Sequence, residues 1–180
     1  GNDGNISQER LEDCINSDLA NNFGNLCQRV TAFAIKNCNG KIPLEVKFHD
    51  EDLLILNKYK DNLDNIRSQI DNQNINFYID YIVNSLFEAN KYFNDQEPWK
   101  KKDDKIRLNT IVYTTLEIVR KISFLLYPII PESSLKALKI FDIEEKNIKL
   151  DSVSNNEYLT KGNNIHKIDI LFKKIEKNND

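Results

Sequence analysis

The feature that most limits how this chain can fold is a recurrent spacing of apolar residues at three and four positions. In one stretch this spacing includes Leu19, Phe23, Leu26, Cys27, Val30, Phe33 and Ala34. Because an α-helix turns once every ~3.6 residues, these side chains share one face. The pattern predicts an amphipathic helix that ends at Asn39-Gly40, with Pro43 close behind.

The same spacing predicts helices on either side of this stretch. Ser7 is a good N-cap for a short first helix, which we expect to weaken near residues 16–18. A third helix is predicted to begin at His49-Asp50 and to continue through Ile70. Its apolar stripe is narrower and its polar face broader, which is typical of a peripheral helix.

The second half of the chain contains the most regular helical patterns. Residues 75–90 carry the cleanest run of apolar residues three and four apart, and Pro98 ends that segment. The apolar stripe of residues 103–126 is so wide that it indicates a central helix with neighbours on two sides. Pro131 then begins a short helix that extends to about Ile140.

These elements favour an all-α fold, an antiparallel bundle of about five helices. With only 5 Gly and 4 Pro in 180 residues, the chain contains few helix breakers. We interpret residues 1–6 as a linker remnant, 7–142 as the helix bundle and 143–180 as an irregular C-terminal tail.

The formal net charge of −3 disfavours a protein that grips nucleic acid mainly through phosphates. A role with nucleic acid would then rest on a few local contacts or on a partner domain. Cys14, Cys27 and Cys38 lack the C-x-x-C spacing of a metal or redox site, and they suggest reduced thiols in a cytoplasmic protein. We therefore expect no metal site. No apolar run approaches the ~20 residues of a membrane span, so we expect no membrane partner.

One polar patch lies away from the apolar face of the helix over residues 19–34. Asn25 and Arg29 are four positions apart, so they are neighbours on one helical turn, with Asn22 and Lys36 on the same side. An amide beside a guanidinium suits the polar edge of a nucleobase, a carboxylate or water. From spacing alone, a solvated helix face is the commoner explanation.

Trp99, the sole tryptophan, follows Pro98 at the predicted end of a helix. An exposed indole there could stack on an unpaired base, although an aromatic cap on the bundle core is the commoner role. The run Lys100-Lys101-Lys102 could meet phosphates or simply be solvated.

At these residues the sequence resembles the methionyl-tRNA synthetases, which are class I aminoacyl-tRNA synthetases. Residues 16–29 (NSDLANNFGNLCQR) resemble the start of that family's anticodon-binding bundle, and residues 90–99 (NKYFNDQEPW) resemble its second signature. Residues 127–132 (YPIIPE) and 171–176 (LFKKIE) match a third turn and the closing segment, in the same order as in the family.

The resemblance implies a site. In this family the first anticodon base, a cytosine, is unstacked and lies on the tryptophan that matches Trp99, with Pro98 as its support. Asn25 and Arg29 match the residues that hydrogen-bond the edge of this base. Asn90 matches the family as well, but it lies on the apolar stripe of its helix, so we expect a satisfied buried amide.

The resemblance also implies partners. They are the anticodon loop of methionine tRNA, with anticodon CAU, and the parent protein's own catalytic domain, on which the tail 143–180 could pack instead of on the bundle. The parent enzyme uses ATP and Mg, whereas this sequence lacks the family's adenylate-binding motifs, so we expect no catalytic residue, no cofactor and no DNA partner here.

Two alternatives remain open from the residues. One is the anticodon domain of a related class I synthetase, such as those for valine, leucine, isoleucine or cysteine. The other is a helical protein-interaction module, whose sign would be an exposed apolar stripe on the third helix.

Overall fold

A computed structural model describes the backbone of residues 2–168 and the side chains of Asp13 and residues 15–168. Within this range the fold is all-α, and its only extended pairing is an isolated antiparallel bridge between Lys41 and Asn164. The α-helices are α1 (Asn2–Asn37), α2 (Asp50–Asp61), α3 (Leu63–Asp71), α4 (Ile75–Gln96), α5 (Lys105–Leu126) and α6 (Pro131–Leu138). The predicted all-α bundle is confirmed.

The first helix is longer than predicted. α1 begins at Asn2 and passes through residues 16–18 without a break, so the expected weak point there and the linker over 1–6 are both wrong for the backbone. Asn, Ser and Asp favour caps and turns only weakly against a helix that is already propagating and that buries one face downstream. The predicted end is correct: α1 stops at Asn37, and Asn39 and Gly40 follow with φ of 56° and 68°.

The predicted third helix is two helices, α2 and α3, separated at Asn62. The Asn62 backbone N–H and side-chain amide both donate to the carbonyl of Lys58, at 3.1 Å and 2.7 Å. An asparagine side chain that bonds a nearby carbonyl competes with helix continuation, which explains the break. Leu56 and Ile66 are buried while Leu54 and Ile70 are exposed on separate helices, so no continuous apolar stripe marks a docking face here.

α5 is the central helix, as its wide apolar stripe predicted. It is buried almost throughout and packs against α1, α2, α4 and α6. The hydroxyl of Tyr78, near the start of α4, donates to the carbonyl of Leu125, near the end of α5. α4 and α5, of 22 residues each, are therefore antiparallel. None of the helices described is long and apolar enough to cross a membrane.

The described part of the C-terminal tail packs on the bundle. Val153, Leu159 and Ile165 are buried with the core, and the backbone N–H of Ile42 donates to Asn163 at 2.8 Å. The tail is irregular, as predicted, apart from short 3₁₀ turns such as Leu150–Ser154. The segment 171–176, which resembles the family's closing segment, lies outside the described residues.

Buried charges on α5 fasten this tail. The Glu117 carboxylate accepts hydrogen bonds from the backbone N–H groups of Tyr158 and Leu159 and pairs with Arg120 at 2.9 Å. Arg120 in turn donates to the carbonyl of Ser152 at 2.7 Å. Because these groups are buried, each bond supplies a partner that would otherwise have to be water.

Candidate nucleic-acid interface

Trp99 is presented by a short turn at one end of the bundle. α4 ends at Gln96, Glu97 takes a left-handed conformation with φ of 46°, and Pro98 opens the 3₁₀ turn Pro98–Lys100. The residue before a proline disfavours the α-helical region, which explains why the helix ends here. Pro98 is buried, whereas the side chain of Trp99 is 40% exposed. The indole therefore stands at the surface, directly after a buried proline in the chain.

An aromatic side chain supports the indole from within. The rings of Phe93 and Trp99 meet edge to face, with centroids 6.0 Å apart at 66°. Phe93 is buried and makes a second edge-to-face contact with Phe33 of α1, at 5.7 Å and 85°. Such pairs add about 0.5–1.5 kcal/mol beyond burial. This stack couples the orientation of Trp99 to the packing of α1 on α4.

Arg29 of α1 reaches the same place. Its guanidinium carbon lies 4.9 Å from the Phe93 ring centroid and 5.8 Å from the Trp99 ring centroid, within cation–π range. Its Nη2 also donates a hydrogen bond to Oδ1 of Asn94. The structure thus brings Arg29 and Trp99 together from segments far apart in sequence.

Asn25 lies one turn before Arg29 on the exposed side of α1. Within the described part of the chain, its amide and the other N–H groups of Arg29 have no hydrogen-bond partner. Donors of Arg29 are therefore available beside the indole, and the Asn25 amide is available one turn away on the same helix. Asn90, by contrast, donates to the carbonyl of Leu86 at 3.1 Å, so the predicted hydrogen bonding of its amide is confirmed. The predicted burial is wrong, because the side chain is only half-buried.

The basic run after Trp99 is partly neutralised. Lys100 pairs with Glu97 at 2.6 Å. The hydrogen bond and charge of Lys100 hold the pKa of the Glu97 carboxyl below its ordinary value. Lys101 and Lys102 form no ion pair with any described residue, although the charge of Lys101 also acts on Glu97.

Sequence reasoning missed the contacts that surround this site. Phe93 and Asn94 lie inside the resembling stretch 90–99, but a single sequence does not pair Asn94 with Arg29, 65 positions away. It also gave no role to Asp52 and Arg107, a buried ion pair between α2 and α5. The signal that could have found the pair is the presence of a charged residue on each of two helix faces that are otherwise apolar.

The Asp52–Arg107 pair has bidentate geometry. Arg107 Nη1 and Nη2 donate to the two carboxylate oxygens of Asp52 at 2.7 Å and 3.0 Å. The hydroxyl of Tyr92 and the backbone N–H of His49 also donate to Asp52, the latter at 2.8 Å. Burial raises the pKa of the Asp52 carboxyl, but the hydrogen bonds from Arg107, Tyr92 and His49 outweigh it, so the pKa lies below its ordinary value.

Comparison with known proteins gives a consistent answer. A family model for the anticodon binding domain of methionyl tRNA ligase matches residues 42–180. The methionine–tRNA ligase of Mycobacterium leprae is 38% identical over 159 residues, which cover 86% of this chain and 30% of that protein. The methionine–tRNA ligase of Thermotoga maritima is 34% identical over 178 residues, which cover 98% of this chain and 28% of that protein.

A solved structure shares the fold. The free-state crystal structure of Mycobacterium tuberculosis methionyl-tRNA synthetase aligns with a TM-score of 0.80 and 32% identity, covering 92% of this chain and 34% of that chain. The chain therefore spans about a third of the length of the proteins it matches, and these are methionine enzymes rather than valine, leucine, isoleucine or cysteine enzymes. The family model, the relatives and the shared fold show that this chain belongs to the methionyl-tRNA synthetase family, as its anticodon-binding domain.

Proposed function

We propose that this domain binds the anticodon loop of methionine tRNA and reads the first base of the anticodon CAU, a cytosine, between Trp99 and the pair Asn25 and Arg29. The observation that carries the proposal is the meeting of a half-exposed indole with a guanidinium from another helix, 5.8 Å from the ring centroid. Pro98, which is buried and opens the turn, is proposed to support the ring.

The chemistry of the site suits an unpaired pyrimidine. A base lying on the Trp99 ring gains roughly 1–3 kcal/mol from stacking, whatever its identity. The edge of cytosine offers two acceptors, O2 and N3, and one amino donor, N4. Arg29 supplies only donors and Asn25 an acceptor as well, so together they complement this edge. Uracil reverses the pattern at two of the three positions and would leave donor facing donor.

Most of the binding energy must come from this pocket. With a formal net charge of −3, the chain has no excess of cations to follow a phosphate backbone. Lys101 and Lys102 can contribute a small number of phosphate contacts. We therefore expect a shallow dependence of affinity on salt, because few counterions are released.

The rest of the reaction belongs to the parent protein. We infer that the intact enzyme uses ATP and Mg to form methionyl adenylate and transfers methionine to its tRNA. This chain, about 30% of the length of the Mycobacterium leprae relative, contributes recognition of the tRNA and no catalytic group. Its second partner is the parent's own catalytic domain.

The test uses the sole tryptophan as its own reporter. Fluorescence of Trp99 is titrated with an RNA stem-loop carrying CAU and, in parallel, with one in which only the first base is changed to uracil. We expect stacking to quench Trp99 with the CAU loop at concentrations roughly tenfold or more below those needed with the changed loop.

A matched control separates stacking from non-specific association. A Lys100→Ala variant alters the neighbouring charge but leaves the ring and the reading pair in place. It should keep the preference for cytosine. Equal quenching by the two loops in the unaltered protein would refute base reading at this site.

A further inference from the structure

Arg107 is bonded to both residues that flank the segment carrying Trp99. Its Nη2 donates to Oε1 of Gln96, the last residue of α4, at 2.7 Å. Its backbone N–H donates to Oδ1 of Asp104, the N-cap of α5, at 3.1 Å. Residues 97–104 are therefore held at each end by the same residue.

The position of Arg107 is itself fixed. Its guanidinium is buried and forms the bidentate ion pair with Asp52. The Asp52 carboxylate also accepts hydrogen bonds from the Tyr92 hydroxyl of α4 and the backbone N–H of His49. Bidentate pairing fixes the orientation as well as the distance. The arginine thus acts as a rigid point between α2, α4 and α5.

Gln96 is fixed from a second direction. While its carbonyl oxygen accepts from Arg107, its Nε2 donates to Glu51 of α2 at 3.0 Å. Both ends of this amide are engaged, so the side chain cannot rotate without losing a bond. The last residue of α4 is consequently tied to α2 and to α5.

The segment between the two anchors is continuous in its hydrogen bonding. Lys100 N–H donates to the Glu97 carbonyl at 2.9 Å, Lys101 to Pro98 at 3.0 Å, and Asp104 to Lys101 at 3.0 Å. Glu97 holds a left-handed φ of 46°, which a non-glycine residue keeps only where its surroundings determine it. A shift of either anchor would therefore be passed on to Trp99.

We propose that Gln96 and Arg107 are positioning residues for the proposed base-recognition site, which hold the turn so that the Trp99 indole stays beside Arg29. Neither side chain need touch RNA, and both act through the 97–104 segment. The inference rests on the proposed function for its consequence in RNA binding, but its effect on Trp99 is measurable without RNA.

The experiment changes Gln96, which is half-buried at a helix end, rather than the buried Arg107. Gln96→Ala removes the acceptor for Arg107. Gln96→Glu keeps an acceptor for Arg107 but replaces the donor to Glu51 with a carboxylate that Glu51 repels. Gln69→Ala is the matched control, because Gln69 is also a half-buried glutamine in a side-chain hydrogen bond, in α3. Each variant is measured for thermal midpoint, acrylamide quenching of Trp99 fluorescence, and affinity for the CAU stem-loop.

We expect Gln96→Ala to change the acrylamide quenching constant of Trp99 about twofold and to weaken CAU binding roughly tenfold, the effect of one lost hydrogen bond to a charged group. Its thermal midpoint should fall below that of Gln69→Ala, because Gln96 bonds charged groups on two other helices. Gln96→Glu should restore the acrylamide quenching constant towards that of the unaltered protein. Quenching and affinity equal to the control, a change in thermal midpoint alone, or quenching of Gln96→Glu as altered as that of Gln96→Ala would each overturn the inference.

The two proposals fail in different ways. If the unaltered protein does not distinguish the CAU loop from the changed loop, the proposed function fails. In that case the acrylamide measurement still decides whether Gln96 positions the indole.

Discussion

Arg29 uses two separate properties of its guanidinium at the candidate site. Its guanidinium carbon lies 4.9 Å and 5.8 Å from the centroids of the Phe93 and Trp99 rings, and its Nη2 donates to Asn94. A lysine could supply the charge but neither the plane nor the fork of donors. The geometry of the group, more than its charge, therefore suits it to read a base.

Arg29→Lys tests this distinction in the isolated domain. We expect the difference in binding free energy between the CAU loop and the uracil-substituted loop to shrink by roughly 1–3 kcal/mol, because the donors that face cytosine lose their fixed spacing. Competition binding of the two loops measures the ratio. Lys36→Arg, a charge-conserving change at another exposed position of α1, serves as the control. An unchanged ratio in Arg29→Lys would show that the arginine contributes only charge.

For single residues, the sequence predicted the positions of the candidate site residues better than it predicted the side chains that contact them. The helical spacing separated Arg29 and Asn25 from the apolar face, and the Pro98-Trp99 step located the indole at a helix end. Asn94 could not be found in this way, because its contact with Arg29 joins two helices and depends on how they pack. The roles of Asn25, Arg29, Trp99 and Pro98 in RNA binding stay predictions.

α5 carries the least expected side chains of any single helix. Glu117, Arg120 and Lys121 are fully buried, although charged residues on a helix normally face solvent. The ammonium of Lys121 donates to the carbonyl of Leu56 at 3.2 Å and to the side chain of Asn156. Helical periodicity correctly identified α5 as central, but it could not reveal that an irregular segment covers its charged side.

Burial lowers the pKa of Lys121 to about 7, and the adjacent positive charge of Arg120 acts in the same direction. The unfolded chain keeps this proton up to the ordinary value of 10.5, so between these values the unfolded state binds more protons than the folded state. Stability must therefore rise with pH across that interval.

We expect the free energy of unfolding to increase by about 1–2 kcal/mol between pH 7 and pH 8.5, and Lys121→Met to abolish the increase. Urea denaturation at a series of pH values measures it. Above about pH 9 burial of the Cys27 and Cys38 thiols, which raises their pKa, acts in the opposite direction, so the interval ends there. If the free energy of unfolding of Lys121→Met rose by the same amount, the pH dependence would have to come from another titrating group.

On the scale of the whole molecule, the candidate site and an open groove lie at opposite ends of the bundle. Trp99 lies between the end of α4 and the start of α5, whereas the groove, of about 480 Å³, is lined by Ile15 of α1, Ile75 at the start of α4 and Pro128 just after α5. The antiparallel helices α4 and α5 extend between the two.

Trp99→Ala in the full-length parent separates recognition from chemistry. We expect aminoacylation of the CAU tRNA to fall roughly five- to 150-fold, since stacking of one base contributes ~1–3 kcal/mol. Methionine-dependent ATP–pyrophosphate exchange, which needs no tRNA, should be nearly unchanged. Phe87→Ala, which removes another exposed aromatic from α4, is the control. Equal losses in both reactions would contradict the assignment of this domain to recognition.

The overall architecture was predictable because it depends on apolar spacing. The positions at which helices begin and end were not predictable in this way. α1 continues through residues that favour caps, and α2 separates from α3 at an asparagine that the pattern passes over. Each outcome depends on a competition between one local side-chain bond and the packing of a whole helix face. Spacing along the sequence does not measure that competition.

The bonds between α5 and the 150–159 stretch set a limit on how short a working version of this domain can be. Glu117, Arg120 and Lys121 together contact Ser152, Asn155, Asn156, Tyr158 and Leu159. A truncation after α6 would remove these partners together with the buried side chains of Val153 and Leu159, and would open one side of the central helix to water. A version trimmed for spectroscopy or crystallisation therefore has to retain residues 150–159.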